Sequence, residues 1–305
     1  SITRAKIPQY SINATYMVDQ EIGYIKVTRF AATTYDEFRK SVADLQAKGM
    51  KKLIIDLQGN PGGYMGAAIY MVDELLGGRD LIVSQVGKVS QYNNKAYASK
   101  PGMFEEGSVI ILINEGSASA SEIMAGAIQD NDRGLIVGRR SFGKGLVQDE
   151  RVLRDGSRLR LTTAVYLTPK KKNIQRLGKG AAGDGTGGLR PNVELSLDTL
   201  YGPHWLGSVR QLEAFDQLTF AWAESDRGRT HEVWVTDERL WQFLAEAGLE
   251  EAVASMTEQD VEWIRFALTL EQIRFQRGAQ AYLELQLTRD YAVDAALALL
   301  KSSRP

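Results

Sequence analysis

Three short apolar runs constrain the fold more than anything else in this chain. Leu53-Ile-Ile-Asp-Leu57, Val109-Ile-Ile-Leu-Ile113 and Leu135-Ile-Val137 lack the polar alternation of a strand with one wet face. Runs of this kind suit strands buried on both sides, as in a parallel sheet covered by helices. Segments of helical period lie between them. Thr34-Tyr-Asp-Glu37 reads as a capping box opening a helix with Phe38, Val42 and Leu45 inward, and Gly49 ends it. A second helix follows Asn60-Pro-Gly-Gly63, with Ala68, Ile69, Val72, Leu75 and Leu76 inward. A third covers 119–129, with Ile123, Ala127 and Ile128 inward. Residues 23–30 alternate as a half-buried strand, and 146–153 with 158–167 read as a hairpin around Asp155-Gly156. The expected class is α/β.

The composition changes near residue 200. All five Trp (205, 222, 234, 241, 263) and both His, His204 and His231, lie beyond it. Residues 1–200 carry 27 basic and 21 acidic side chains, whereas 201–305 carry 10 and 17. A break of this size suggests two structural units. The second reads as mostly helical, for example over 261–270 and 280–287. The Gly-rich stretch 178–188 just before the break reads as a mobile loop. The whole chain of 305 residues has a net charge of −1, which argues against a nucleic-acid partner. It has no Cys, which removes disulfides, thiolate metal sites and cysteine nucleophiles, and its two His leave little for a metal site. The chain starts SITRAKIPQY, with neither Met nor a signal-like segment, as a mature, processed or truncated fragment would.

Two motif matches fail on context. Gly178-Lys-Gly-Ala-Ala-Gly183 fits a dinucleotide fingerprint but neither follows a strand nor opens a helix. Gly138-Arg-Arg-Ser-Phe-Gly143-Lys144 fits a phosphate loop, but Gly145 stands where Ser or Thr would hold magnesium. Gly116-Ser-Ala-Ser-Ala-Ser-Glu122 is more informative. Small residues between a buried strand and a helix let backbone amides approach a ligand, and a Ser there feels the helix dipole. The same stretch also suits a plain run of N-cap residues. Asn60-Pro-Gly-Gly63 repeats the strand, turn and helix arrangement. Two such turns can aim two amides at one carbonyl oxygen, or can simply be tight turns. A serine nucleophile needs a base, and Lys can serve when burial disfavours its ammonium form. Lys144 is the candidate, with a solvated loop lysine as the alternative.

Together these residues resemble the carboxyl-terminal processing peptidases, the tail-specific serine proteases of family S41. The resemblance covers roughly residues 20–195. It rests on Asp56-Leu-Gln-Gly-Asn-Pro-Gly-Gly63, Asn114-Glu-Gly-Ser-Ala-Ser-Ala-Ser-Glu-Ile123, Gly126-Ala-Ile-Gln-Asp130 and Val137-Gly-Arg-Arg-Ser-Phe-Gly-Lys-Gly-Leu-Val-Gln148, in the family's order and spacing. It implies a Ser/Lys dyad of Ser119 and Lys144, with Gln148 helping to orient the lysine. It also implies oxyanion amides at Gly63 and Ala120, and a supporting carboxylate at Asp130. Ser117 and Ser121 are then structural. The implied fold is a ClpP/crotonase-like catalytic core with a mainly helical C-terminal region. The implied organisation is an N-terminal segment (1–20) following an absent PDZ domain, a core (21–200) and a helical Trp-rich domain (201–305). The implied substrates are polypeptides cut near their C-termini, without cofactor or metal, in the bacterial cell envelope. Tails in this family can also mediate self-association.

Two departures stand out. Gln58 occupies a position where many members have Arg. Pro169-Lys-Lys-Lys-Asn-Ile-Gln175 carries three Lys where a Gly-containing turn is usual. Two other functions fit the same fold: a non-catalytic ligand- or peptide-binding module, and a crotonase-like acyl-CoA enzyme. The second needs no Ser/Lys dyad, and the sequence shows no adenine-phosphate site.

Overall fold

The computed structural model describes residues 10–99, 101–176, 187–196, 206–227 and 235–302. The chain divides into two compact units, Leu197–Asp294 and the remainder. In the first unit the order is β1 (Ile12–Met17), β2 (Ile22–Val27), α1 (Thr34–Ala47), β3 (Lys52–Asp56), α2 (Met65–Asp73), β4 (Leu81–Gly87), β5 (Asn94–Tyr97), β6 (Ser108–Ile113), α3 (Ala120–Asp130), β7 (Leu135–Gly138), β8 (Leu146–Val152), β9 (Arg158–Leu167) and β10 (Val193–Glu194). Two sheets form among the described residues, with strand orders β1-β2-β3-β6-β7-β10 and β5-β4-β9-β8.

The first sheet is parallel from β2 to β10, and β1 runs antiparallel along β2. Its central strands are buried on both faces, since the adjacent residues Leu53, Ile54 and Ile55 are all 0% exposed. Phe38, Val42 and Leu45 of α1, Met71 and Val72 of α2, and Met124 and Ile128 of α3 join the core on one face. Each such side chain, fully buried, contributes about 1.5–3 kcal/mol over leaving it in water. The parallel arrangement places the C-terminal ends of β3 and β6 side by side, and each leads through a turn into a helix. In the second sheet β8 and β9 pair antiparallel, with a register shift between Val147 and Gln148.

The start of α1 differs from the expected capping box. Thr33 is the N-cap, and Thr34 is buried inside the first turn, accepting from the Ala31 amide at 2.7 Å. Glu37 Oε1 accepts from the Thr33 hydroxyl at 2.7 Å, while its Oε2 accepts from the amides of Ser11 and Ile12 at 2.7 and 2.9 Å. Its carboxylate ties the start of β1 to the helix, a tertiary use that local spacing does not reveal.

The second unit contains α4 (Leu206–Val209), α5 (Glu213–Ser225), α6 (Asp237–Glu246), α7 (Glu250–Val253), α8 (Glu258–Arg277) and α9 (Ala279–Leu287), and α10 (Tyr291–Ser302) begins in it. Its core joins Phe215, Leu218 and Trp222 of α5 to Leu240 and Phe243 of α6 and Ile264 and Leu268 of α8. Thr257 and Asp260 cap α8 reciprocally, and Gly278 ends it at φ 86°. Asp226 is buried against Arg239 at 2.6 Å and the Gln272 amide at 2.9 Å. No described helix is long and apolar enough to cross a membrane. Most of the Gly-rich stretch (178–186), together with His204, Trp205, His231 and Trp234, lies outside the described residues.

Arg133, after α3, ties three loops of the first unit together. Its guanidinium donates to the carbonyls of Leu75, Phe104 and Gly107 at 2.7, 2.8 and 2.8 Å. Arg133→Ala leaves these acceptors without that donor, and a loss of about 2–3 kcal/mol is expected. Urea unfolding would measure it, with an unchanged midpoint as the contrary result.

Candidate active site

Ser119 stands immediately before α3 with φ 57° and ψ −110°. A residue with a Cβ rarely adopts this conformation, and such strain collects at functional sites. The flanking serines hold the local structure. Ser117 Oγ donates to the Leu57 carbonyl at 2.8 Å, and Ser121 Oγ donates to the Asn60 carbonyl at 2.9 Å. The Asn60 carbonyl also accepts from the Ala118 amide at 3.0 Å. The turn after β3 and the turn before α3 are thus bonded to each other, with Ser119 between them and half-buried.

Gly62 and Gly63 are required by this close approach. A Cβ on Gly62 would lie 2.8 Å from Ser119 Cβ and 2.9 Å from the Ala120 nitrogen. A Cβ on Gly63, at φ 138°, would collide with the Phe30 carbonyl. Phe30 donates to the Gly62 carbonyl at 2.9 Å and accepts from the Tyr64 amide at 2.8 Å. In such a bridge the intervening residue's own amide faces the other way. Among the described residues, neither the Gly63 nor the Ala120 amide has a hydrogen-bond partner.

Glu122 organises the other side. It is 0% exposed and lies in the first turn of α3, where the helix dipole favours negative charge. Its Oε2 accepts from the amides of Ser119 and Lys144, each at 2.8 Å. Its Oε1 accepts from the Gly143 amide at 2.7 Å and from Ser141 Oγ at 2.5 Å. Ser119 and Lys144 therefore share one carboxylate oxygen through their backbones. Sequence reasoning gave Glu122 no role, although Ser119-x-x-Glu122 has the spacing of a capping box.

The Lys144 side chain is exposed, contrary to the burial expected of a lysine base. Its Nζ has no hydrogen bond or ion pair among the described residues. The cause is local: Lys144 sits between glycines in a loop, and only its backbone is fastened. Gln148, on β8, is also exposed. Asp130 stands apart from this group. It is the last residue of α3, about 16 Å of helix from Ser119. There it is buried and accepts from Lys172 Nζ at 2.8 Å and the Lys170 amide at 2.9 Å. It therefore pins the three-lysine turn, in which Lys171 adopts φ 62°. Burial alone would raise the Asp130 carboxyl, but the bonds from Lys172, Thr168 and the Lys170 amide outweigh it and hold the group below its usual value. No described cluster of three or more His, Cys, Asp or Glu could hold a metal ion.

Comparison with known proteins fits this geometry. The family model for peptidase family S41 matches residues 21–193. A carboxy-terminal-processing protease of Bartonella bacilliformis is 40% identical over 167 residues, 53% of this chain and 38% of that protein. A carboxyl-terminal-processing protease of Picosynechococcus is 36% identical over 159 residues, 52% of this chain and 38% of that protein. The matched stretch thus spans less than two fifths of the length of these relatives. Among solved structures, photosystem II D1 C-terminal processing protease is 29% identical with a TM-score of 0.53, covering 69% of this chain and 54% of that one.

Two outcomes follow from the carboxylates. Glu122→Gln turns an amide group toward four donors, and a loss of about 2–4 kcal/mol in stability is expected by thermal unfolding. An unchanged transition would contradict the hub. For Asp130 the folded pKa is lowered, so its stabilisation is present above the unfolded pKa near 3.8 and is lost as pH falls through the folded value. Asp130→Asn should therefore lower stability at pH 7 and flatten its decline below about pH 4. Parallel stability–pH curves for the two proteins would contradict this.

Proposed function

The chain belongs to peptidase family S41, and we propose that it is a serine endopeptidase working through a Ser119/Lys144 dyad. The observation that carries this reading is the strained Ser119 between two unpartnered amides, bonded to the same Glu122 oxygen as the Lys144 backbone. Lys144 in its neutral form takes the Ser119 hydroxyl proton as Oγ attacks the peptide carbonyl carbon. The amides of Gly63 and Ala120 hold the oxyanion. The proton passes to the leaving amine, the C–N bond breaks, and water then hydrolyses the acyl-enzyme. Gln148 orients the lysine on this reading, and Asp130 acts only at a distance, through α3. The core is read as the ClpP/crotonase-like fold. The family resemblance supports cleavage near the C-termini of unfolded or tagged proteins, and a place in the bacterial cell envelope.

The exposure of Lys144 favours one other reading, a peptide-binding module without turnover. Casein digestion separates the two. The chain should cleave casein, and Ser119→Ala and Lys144→Ala should each lower the rate about a thousandfold or more without altering the circular dichroism spectrum. Cleavage by Ser119→Ala at the original rate would assign another nucleophile. Binding without cleavage by the unaltered chain would favour the module.

A further inference from the structure

A second lysine lies close to this site, and the mechanism above does not use it. Lys26, on β2, has a side chain only 16% exposed, with its Nζ 2.8 Å from Asp56 Oδ2. The same Nζ donates to the Gln58 carbonyl at 2.9 Å. Asp56, the last residue of β3, is 1% exposed and also accepts from Tyr24 Oη at 2.6 Å and the Gln58 amide at 2.8 Å. The chain then turns through Gln58, Gly59 and Asn60 to Gly63.

Neutralising a buried carboxylate accounts for one of the two lysine contacts. The other, to the Gln58 carbonyl, adds nothing to charge balance. It fastens the first part of the turn to β2. The far side of the turn is fastened to the segment around Ser119, through Gly59 to Asn114 Oδ1 at 2.8 Å and through the Asn60 carbonyl to Ala118 and Ser121. The turn is therefore stretched between two anchors, and the placement of the Gly63 amide relative to Ala120 depends on both. Oxyanion donors act through preorganisation, so small displacements weaken them. With a neutral Gln at 58, Lys26 is the cation that faces Asp56 among the described residues.

We propose that Lys26 is a positioning residue for the oxyanion hole: its ammonium, shared between Asp56 and the Gln58 carbonyl, sets the turn that presents the Gly63 amide. The proposal rests on the peptidase reading, and Lys26 itself touches no substrate.

Lys26→Met tests it with two readouts. Amide hydrogen exchange at Asn60 and Gly62 should speed up about tenfold or more, while Ile54 and Ile55 in β3 keep their protection. In casein-derived peptide cleavage kcat should fall about thirtyfold, with KM within about threefold of the original. Exchange and kcat at their original levels would overturn the proposal, as would a loss matching only the unfolded fraction. Exchange needs no turnover, so an inactive parent chain would refute the peptidase reading while the exchange comparison still decides for or against the clamp. If Lys26→Met does not fold, the Lys26→Met/Gln58→Arg double variant returns a cation to Asp56 without the lysine clamp. Faster exchange in its turn is the expected result, and original protection with original kcat would overturn the proposal.

Discussion

The candidate site depends on one buried carboxylate. Glu122 lies in the first turn of α3 without an ion-pair partner among the described residues, and four donors converge on it. A buried charge is tolerated only when hydrogen bonds replace its hydration. Here those bonds come from Ser119 on one side and from Ser141, Gly143 and Lys144 on the other. The cost of burying the charge is offset only when both segments are in place. The same bonds that satisfy Glu122 therefore bring together two residues 25 positions apart in sequence. On the opposite side, the Asn60 carbonyl and Ser117 and Ser121 fix the glycine turn against Ser119. Lys144 is fastened into this arrangement by its backbone alone.

Much of this was legible in the sequence. The continuous apolar runs at 53–57, 109–113 and 135–137 become the parallel strands β3, β6 and β7, since a strand covered on both faces has no reason to alternate. The hairpin around Asp155-Gly156 forms as the turn residues require. Two features show why the rest was not legible. Thr34-x-x-Glu37 and Ser119-x-x-Glu122 have the same local signature, yet Glu37 takes the Thr33 hydroxyl and two amides at the start of β1, whereas Glu122 takes the backbone amide of its N-cap and the Lys144 loop. Local spacing says that a carboxylate is available, and tertiary packing decides where it goes. Lys144 shows the same limit: its place in the motif was plain, but side-chain burial depends on what lies over it.

The departures from the family pattern also have physical accounts. The three-lysine turn at 170–172 is held by Asp130 beneath it, so a carboxylate at the far end of α3 does structural work there. Gln58 leaves Asp56 without a cation at that position, and Lys26 faces Asp56 from β2. The acidic helical unit has its own core and its own buried polar network around Asp226, consistent with a compositional break that separates two differently built surfaces.

The most direct test of the central claim is covalent labelling. The chain would be treated with a serine-directed phosphonylating reagent and the modified residue located by peptide mass spectrometry. A single adduct on Ser119, lost in Lys144→Ala, is the result that the proposed dyad predicts. No adduct on Ser119, or labelling of Ser119 undiminished without Lys144, would contradict the dyad.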